Sequence, residues 1–225
     1  MKVKILRKLP GEDRQFWEEF EYSGPKDNTV AAMIDELNFR DDIINAKGEH
    51  VPRISWECSC LQAKCGACAM VINGRPALAC ETFLKDLGKE VRLQPLRKFP
   101  VVADLVVDRS AIHESLLSTE SYIQEYKESD NKDYDHHYTA AKCLKCGLCL
   151  EVCPNYKGGK KFYGALFAND CYLIATRSDV FDDSIKKEYR KHFAAGCSKS
   201  FACVDVCPMK IPTLSSMAKL NRRHT

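Results

Sequence analysis

The residues of this chain that could do chemistry are its cysteines, thirteen in 225 residues. They fall into groups. Cys58, Cys60, Cys65, Cys68 and Cys80 form the first, Cys143, Cys146, Cys149 and Cys153 the second, and Cys197, Cys203 and Cys207 the third, while Cys171 stands alone. An odd number does not close into a full disulfide framework, and in a reducing compartment clustered thiols hold metal or do redox work. Thiolates are soft ligands that favour zinc and iron–sulfur clusters.

Spacing separates those two chemistries. Cys60-x4-Cys65-x2-Cys68 followed by Cys80 is the plant-type two-iron ferredoxin pattern. Three ligands on one tight loop hold one side of a [2Fe–2S] cluster, and the fourth comes from a strand beyond. Gly66 lets the loop backbone approach the sulfides, where N–H groups can donate to them. A four-cysteine zinc site is the alternative, but structural zinc prefers two short cysteine pairs. Cys58 also precedes Cys65 and is the alternative ligand to Cys60, but the four-residue gap favours Cys60, and Cys58 is expected to be a small packed side chain.

Cys143-x2-Cys146-x2-Cys149-x3-Cys153-Pro154 is the bacterial ferredoxin run, in which the fourth cysteine ligates the other cluster. Cys197, Cys203 and Cys207-Pro208 repeat it with Ser200 in the second slot. Crossing the fourth ligands gives Cys143, Cys146, Cys149 and Cys207 to a [4Fe–4S] cluster. Cys153, Cys197 and Cys203 then supply three thiolates, and a cubane lacking one thiolate is expected to lose that iron and become [3Fe–4S]. A serine-ligated four-iron cluster is the alternative, disfavoured because a hydroxyl is a hard ligand. Three redox centres without a substrate constellation read as an electron wire with no catalytic residue of its own. No Ser-His-Asp or Walker pattern occurs. The histidines are scattered, and His136-His137 are expected at the surface.

Composition bounds the rest. Lys+Arg 34 against Asp+Glu 31 gives a net charge of +3, too balanced for a nucleic-acid binder. No apolar run reaches the roughly 18 residues of a membrane span. The first residues lack the apolar core of a secretory signal. The expected location is therefore cytosolic, or on a membrane through a partner. A zinc or redox-sensing interaction module is the competing class.

The elements that must position these cysteines divide at the cysteine-free stretch 81–142. The expected units are 1–106, a [2Fe–2S] domain, and 107–225, a helical domain with [4Fe–4S] and [3Fe–4S] clusters. In the first, Val3 and Ile5 alternate with lysines as a strand, and Phe20 and Tyr22 alternate with glutamates as a second. Asn28 or Thr29 caps a helix with Val30, Met33, Ile34 and Leu37 on one stripe. Met70–Ile72 and Ala77–Cys80 flank an Asn73-Gly74 turn as a hairpin, and Val91, Leu93 and Leu96 mark a last strand. In the second, residues 111–126, 163–176 and 212–223 read as helices, with Pro212 in the first turn of the last. Residues 127–137 read as an exposed connection. Cys171, among Leu166, Phe167, Leu173 and Ile174, is expected to be a buried thiol.

With these motifs in order, the chain resembles the iron–sulfur subunit of succinate dehydrogenase and fumarate reductase over nearly its whole length. The marks are Ser59-Cys60 through Cys68, Ile72-Asn73-Gly74, Leu78-Ala79-Cys80, Pro95-Leu96, Pro100 to Asp108, Cys143 to Pro154, Arg177-Ser178-Asp179, and Cys197 to Pro208. The resemblance implies an α+β chain: a β-grasp [2Fe–2S] ferredoxin domain, then an α-helical bacterial-ferredoxin-like domain. It implies a flavoprotein partner carrying FAD and the dicarboxylate site. It further implies a separate membrane anchor, in some forms a cytochrome b, and electrons passing between flavin and quinone. The expected location becomes the cytoplasmic side of the cell membrane, held through partners. Many succinate dehydrogenases have a Trp five residues after the position of Cys153 and a His just after that of Cys197. Here Gly158 and Ser198 stand there, which leans toward fumarate reduction or an acceptor other than a quinone. Lys219, Arg222 and Arg223 are expected to face an anchor or to be a solvated helix end.

Overall fold

In the computed structural model, residues 1–120, 133–176 and 183–222 are described. The chain divides into two compact units, Met1–Asp108 and Arg109–Thr225, a boundary two residues beyond the one expected.

In the first unit, alternation makes strand β1 (Lys2–Arg7), with Val3, Ile5 and Arg7 turned inward. It pairs antiparallel with β2 (Phe16–Glu21). Thr29 caps α1 (Val30–Asn38), its hydroxyl oxygen accepting from the Ala32 N–H at 3.2 Å, and the stripe Val30, Met33, Ile34 and Leu37 is buried. The hairpin is β3 (Ala69–Ile72) and β4 (Arg75–Leu78), around Asn73 (φ 47°) and Gly74 (φ 81°). Strand β4 ends before the expected Cys80, because the backbone turns at Ala79 toward α1. Strand β5 (Glu90–Gln94) runs parallel to β1 and antiparallel to β3, giving a sheet of order β2-β1-β5-β3-β4. One helix with a mixed sheet of this order is the expected β-grasp. A short hairpin, β6 (Val101–Ala103) and β7 (Val106–Val107), was not foreseen.

The second unit is helical. Helix α5 (Gly164–Ala175) is its axis, buried almost all round from Gly164 to Tyr172. Against it pack α2 (Ser110–Leu117), α3 (Tyr134–Ala141), α4 (Leu148–Val152), α6 (Asp183–His192) and α8 (Thr213–Asn221). The short α7 (Ala202–Asp205) packs on α4. The core is Ala165, Phe167, Ala168, Cys171 and Tyr172 of α5 with Ile185, Tyr189, Phe193 and Leu220.

Several expectations are corrected here. Residues 134–137 are helical rather than a connection, and His137 is buried, its Nε2 2.8 Å from Thr176 Oγ1 and its ring edge-on to Tyr172. His136 is half-buried, 3.0 Å from Ser216 Oγ. Both face α5 and α8 rather than solvent. Pro212 caps α8 instead of entering it. Lys219 is partly exposed but not free, its ammonium pairing with Asp133, while Arg222 is exposed as a solvated helix end would be. Residues Tyr122, Ile123, Tyr126, Arg177, Ser178, Asp179, Arg223 and His224 lie outside the described residues.

Candidate metal centres

Cys58, Cys60, Cys65 and Cys68 lie on an irregular loop between α1 and β3, and Cys80 lies just after β4. Leu61 (φ 53°), Ala63 (φ 56°) and Gly66 (φ 79°) are left-handed, which turns backbone N–H groups inward. Cys60 Sγ accepts from Gln62 N and Lys64 N at 3.3 Å each, and Cys80 Sγ accepts from Ala63 N at 3.3 Å. Cys68 Sγ and Cys80 Sγ lie 3.3 Å apart, both buried. The N–H of Gln62, then that of Lys64, bring the Cys60 thiol down to about 7, while burial pushes Cys68 up. Helix α1 fixes Cys80, the expected distal ligand: Ala31 N donates to Ala79 O at 3.0 Å and Val30 N to Thr82 O at 2.9 Å, clamping both sides of it. Cys58 is exposed, not packed, because the loop carries it outward.

The second and third groups form a geometric repeat. In Cys143-x2-Cys146-x2-Cys149, Lys145 (φ 54°) and Gly147 (φ 86°) are left-handed, and α4 starts directly after. In the later run, Lys199 (φ 57°) and Phe201 (φ 59°) take the same places, and α7 starts directly after.

Around these loops are two cavities. Cys143, Cys146, Cys149 and Cys207 border one of about 450 Å³, mouth included, walled otherwise by apolar groups such as Leu148, Leu166 and Ile211. Cys153, Cys197 and Cys203 border one of about 370 Å³ together with Ser200 and Phe201. Cys203 borders both. Burial pushes Cys146 up to about 11 and raises Cys143 and Cys149 as well, with neighbouring thiolates, Cys207 among them, adding to it. Cys203 is raised by burial and then by Cys153 and Cys197. Thiols so disfavoured as bare anions need positive charge beside them to ionise, and iron supplies it. The residues fit clusters: sulfurs around a void of cluster size, with N–H donors from Lys145 to Cys143 and from Ile211 to Cys207 (3.4 Å). Among the described residues, no three His, Cys, Asp or Glu side chains converge closely enough for a single ion.

Sequence reasoning missed the surroundings of the four-cysteine cavity. Asn169 lines it, fully buried, with Nδ2 donating to Ala140 O at 3.0 Å. Next to it, Asp170 is buried and ion-paired with Lys145. Burial raises the Asp170 carboxyl against the pull of that ammonium.

The profile of the 2Fe-2S iron-sulfur cluster binding domain matches residues 2–114, and that of the 4Fe-4S dicluster domain matches residues 138–211. The succinate dehydrogenase iron-sulfur subunit of Bacillus subtilis is 34% identical over 97% of this chain and 90% of its own. The chain belongs to the iron–sulfur subunit family of succinate dehydrogenase and fumarate reductase. The fumarate reductase iron-sulfur subunit of Haemophilus influenzae is 29% identical over 96% of this chain and 90% of its own. By structure, this iron–sulfur subunit is similar to a chain of the Mycobacterium smegmatis Sdh1 complex, with a TM-score of 0.75 and 22% identity, covering 97% of this chain and 94% of that one. That likeness confirms the fold: a sheet-containing ferredoxin domain followed by a helical one.

Proposed function

We propose that this iron–sulfur subunit passes electrons between the FAD of a flavoprotein subunit and a membrane quinone through three clusters in series. Cys60, Cys65, Cys68 and Cys80 hold [2Fe–2S]. Cys143, Cys146, Cys149 and Cys207 hold [4Fe–4S], and Cys153, Cys197 and Cys203 hold [3Fe–4S]. The observation that carries this reading is the pair of sulfur-lined cavities sharing Cys203, with Cys207 on the cavity of the earlier run and Cys153 on that of the later one. The serine in the second slot favours a three-iron centre, since Ser200 borders that cavity with a hard oxygen.

The dicarboxylate site belongs to the partner, and this chain contributes no catalytic residue. No helix among the described residues is long and apolar enough to cross a membrane. The quinone end is therefore assigned to an anchor, possible forms including a cytochrome b, on the cytoplasmic side of the cell membrane. The exposed rim Ser198–Phe201 suits the three-cysteine site to that terminal position. Gly158 and Ser198, in place of the Trp and His of many succinate dehydrogenases, favour fumarate reduction. The same two residues motivate a second reading, in which the wire serves another enoate reductase or ends on a thiol or soluble carrier. Co-purification of an anchor with bound quinone would exclude that second reading.

Low-temperature EPR of the complex, with metal analysis, tests the assignment. The expected result is about nine irons per chain, a three-iron signal when oxidised and a two-iron signal when reduced. Zinc without cluster signals would overturn it. In Cys203→Ala, quinone-linked turnover should fall to background while an artificial acceptor at the flavin stays active. Unchanged quinone turnover would remove the series.

A further inference from the structure

The repeat places a lysine at the same left-handed position of each ligand loop, Lys145 and Lys199, but their surroundings differ. Lys145 is ion-paired with Asp170, whose side chain is only 10% exposed. Both charges bear on the Cys143 thiol with opposite signs, and the neighbour of Asp170, Asn169, lines the four-cysteine cavity. Lys199 borders the three-cysteine cavity, is exposed, and has no ion-pair partner among the described residues. A buried carboxylate is poorly screened, whereas an exposed ammonium is strongly screened by water and salt. Cluster potentials respond to nearby charge because reduction adds an electron to the site.

We propose that Asp170, through its pair with Lys145, sets the reduction potential of the cluster held by Cys143, Cys146, Cys149 and Cys207. The carboxylate cancels the positive charge that the ligand loop would otherwise place against this cluster. It thereby holds the potential down at this site and leaves the three-cysteine site unaffected. Asp170 touches no reacting atom in this reading. It is a potential-setting residue, and the inference rests on the cluster assignment above.

EPR-monitored redox titration of the intact complex tests it, reading midpoints rather than turnover. Asp170→Asn should shift the midpoint of the four-iron cluster upward. The double variant carrying Asp170→Asn and Lys145→Met, which removes both charges, should return it toward the native value. Asp170→Glu should retain the native midpoint. In every variant the three-iron midpoint should stay in place. An unshifted or lowered midpoint in Asp170→Asn would overturn the proposal, as would an equal shift at both clusters. If Asp170→Asn does not assemble, Lys145→Gln decides instead: a lowered four-iron midpoint supports the proposal, and an unchanged or raised one overturns it. Spin counts on the native complex keep the two failures apart. Absent cluster signals there sink the assignment, whereas full signals with unmoved midpoints sink only the role of Asp170.

Discussion

Left-handed residues build the cluster loops. Leu61, Ala63, Lys145, Lys199 and Phe201 all adopt a conformation that costs an L-residue roughly 1–2 kcal/mol. At Leu61, Ala63 and Lys145 the turns aim N–H groups at sulfur. Gly164 adds a steric reason to a conformational one. It opens α5 at φ +80°, and a Cβ there would stand 2.2 Å from Leu150 Cδ2 of α4. Gly164→Ala should therefore destabilise by about 2–4 kcal/mol, read as a lower thermal midpoint for loss of cluster absorbance. An unchanged midpoint would mean that Leu150 swings away and the backbone relaxes. The grouping of cysteines around two cavities could be anticipated from the sequence because the intervals between them follow ferredoxin spacing. Gly66 could be seen as a point of close backbone approach, but Phe201 could not, since nothing in its residue type marks a left-handed site. Cys58 escaped for a similar reason: its neighbours Glu57 and Ser59 leave its direction undetermined, and only the course of the loop turns it outward.

Among the elements, β1 carries the least expected side chain. Its alternation runs Val3, Ile5, Arg7, so the third inward position is a guanidinium, fully buried. Arg7 pairs with Glu18 of β2 at 2.6 Å and with Asp104, between β6 and β7, at 2.9 Å. It also donates to Pro52 O at 3.0 Å and Arg53 O at 3.2 Å, at the start of the segment leading to the cysteine loop. Asp104 further accepts from the N–H groups of Lys8 at 3.0 Å and Ser55 at 2.8 Å. Removing one partner of a buried pair leaves the other charge uncompensated, at a cost of about 3–5 kcal/mol. Asp104→Ala should lower the denaturant midpoint for [2Fe–2S] absorbance accordingly, and a loss under about 1 kcal/mol would show that Glu18 alone satisfies Arg7. Helix α1 and the Asn73-Gly74 hairpin could be read in advance because pattern, cap and turn agree. Helix α6 could not. Its buried Ile185 and Tyr189, continued by Phe193, recur every fourth residue, but Lys186, Lys187, Glu188, Arg190 and Lys191 fill the gaps and hide the stripe. His137 was misjudged because a histidine between polar neighbours carries no sign of the Tyr172 ring that covers it.

At the scale of the whole molecule, the two units should depend on iron to different degrees. Met1–Asp108 has a core in which Val3, Ile5, Phe20, Met33, Val71, Val91 and Leu93 far outnumber the buried Cys68 and Cys80. Arg109–Thr225 holds two voids walled by half-buried thiols, flanked by helices of five and four residues that are too short to be stable alone. Chelating iron from the reduced complex should melt α4 and α7 first, with amide exchange of residues 143–153 and 197–211 rising to the unprotected rate while β1, β3 and β5 stay protected. Equal loss in both units would mean that the sheet also needs its cluster. The proposed crossing of Cys153 and Cys207, each bordering the cavity of the other run, carries a consequence for biosynthesis. The cavity begun by Cys143 cannot close until Cys207, more than sixty residues later, has left the ribosome. The second cavity must reach back to Cys153. On the proposed ligand assignment, neither cluster has all its thiolates while its own run is being translated. A chain arrested between the two runs would then offer unfinished thiols to oxidation rather than half of a working protein.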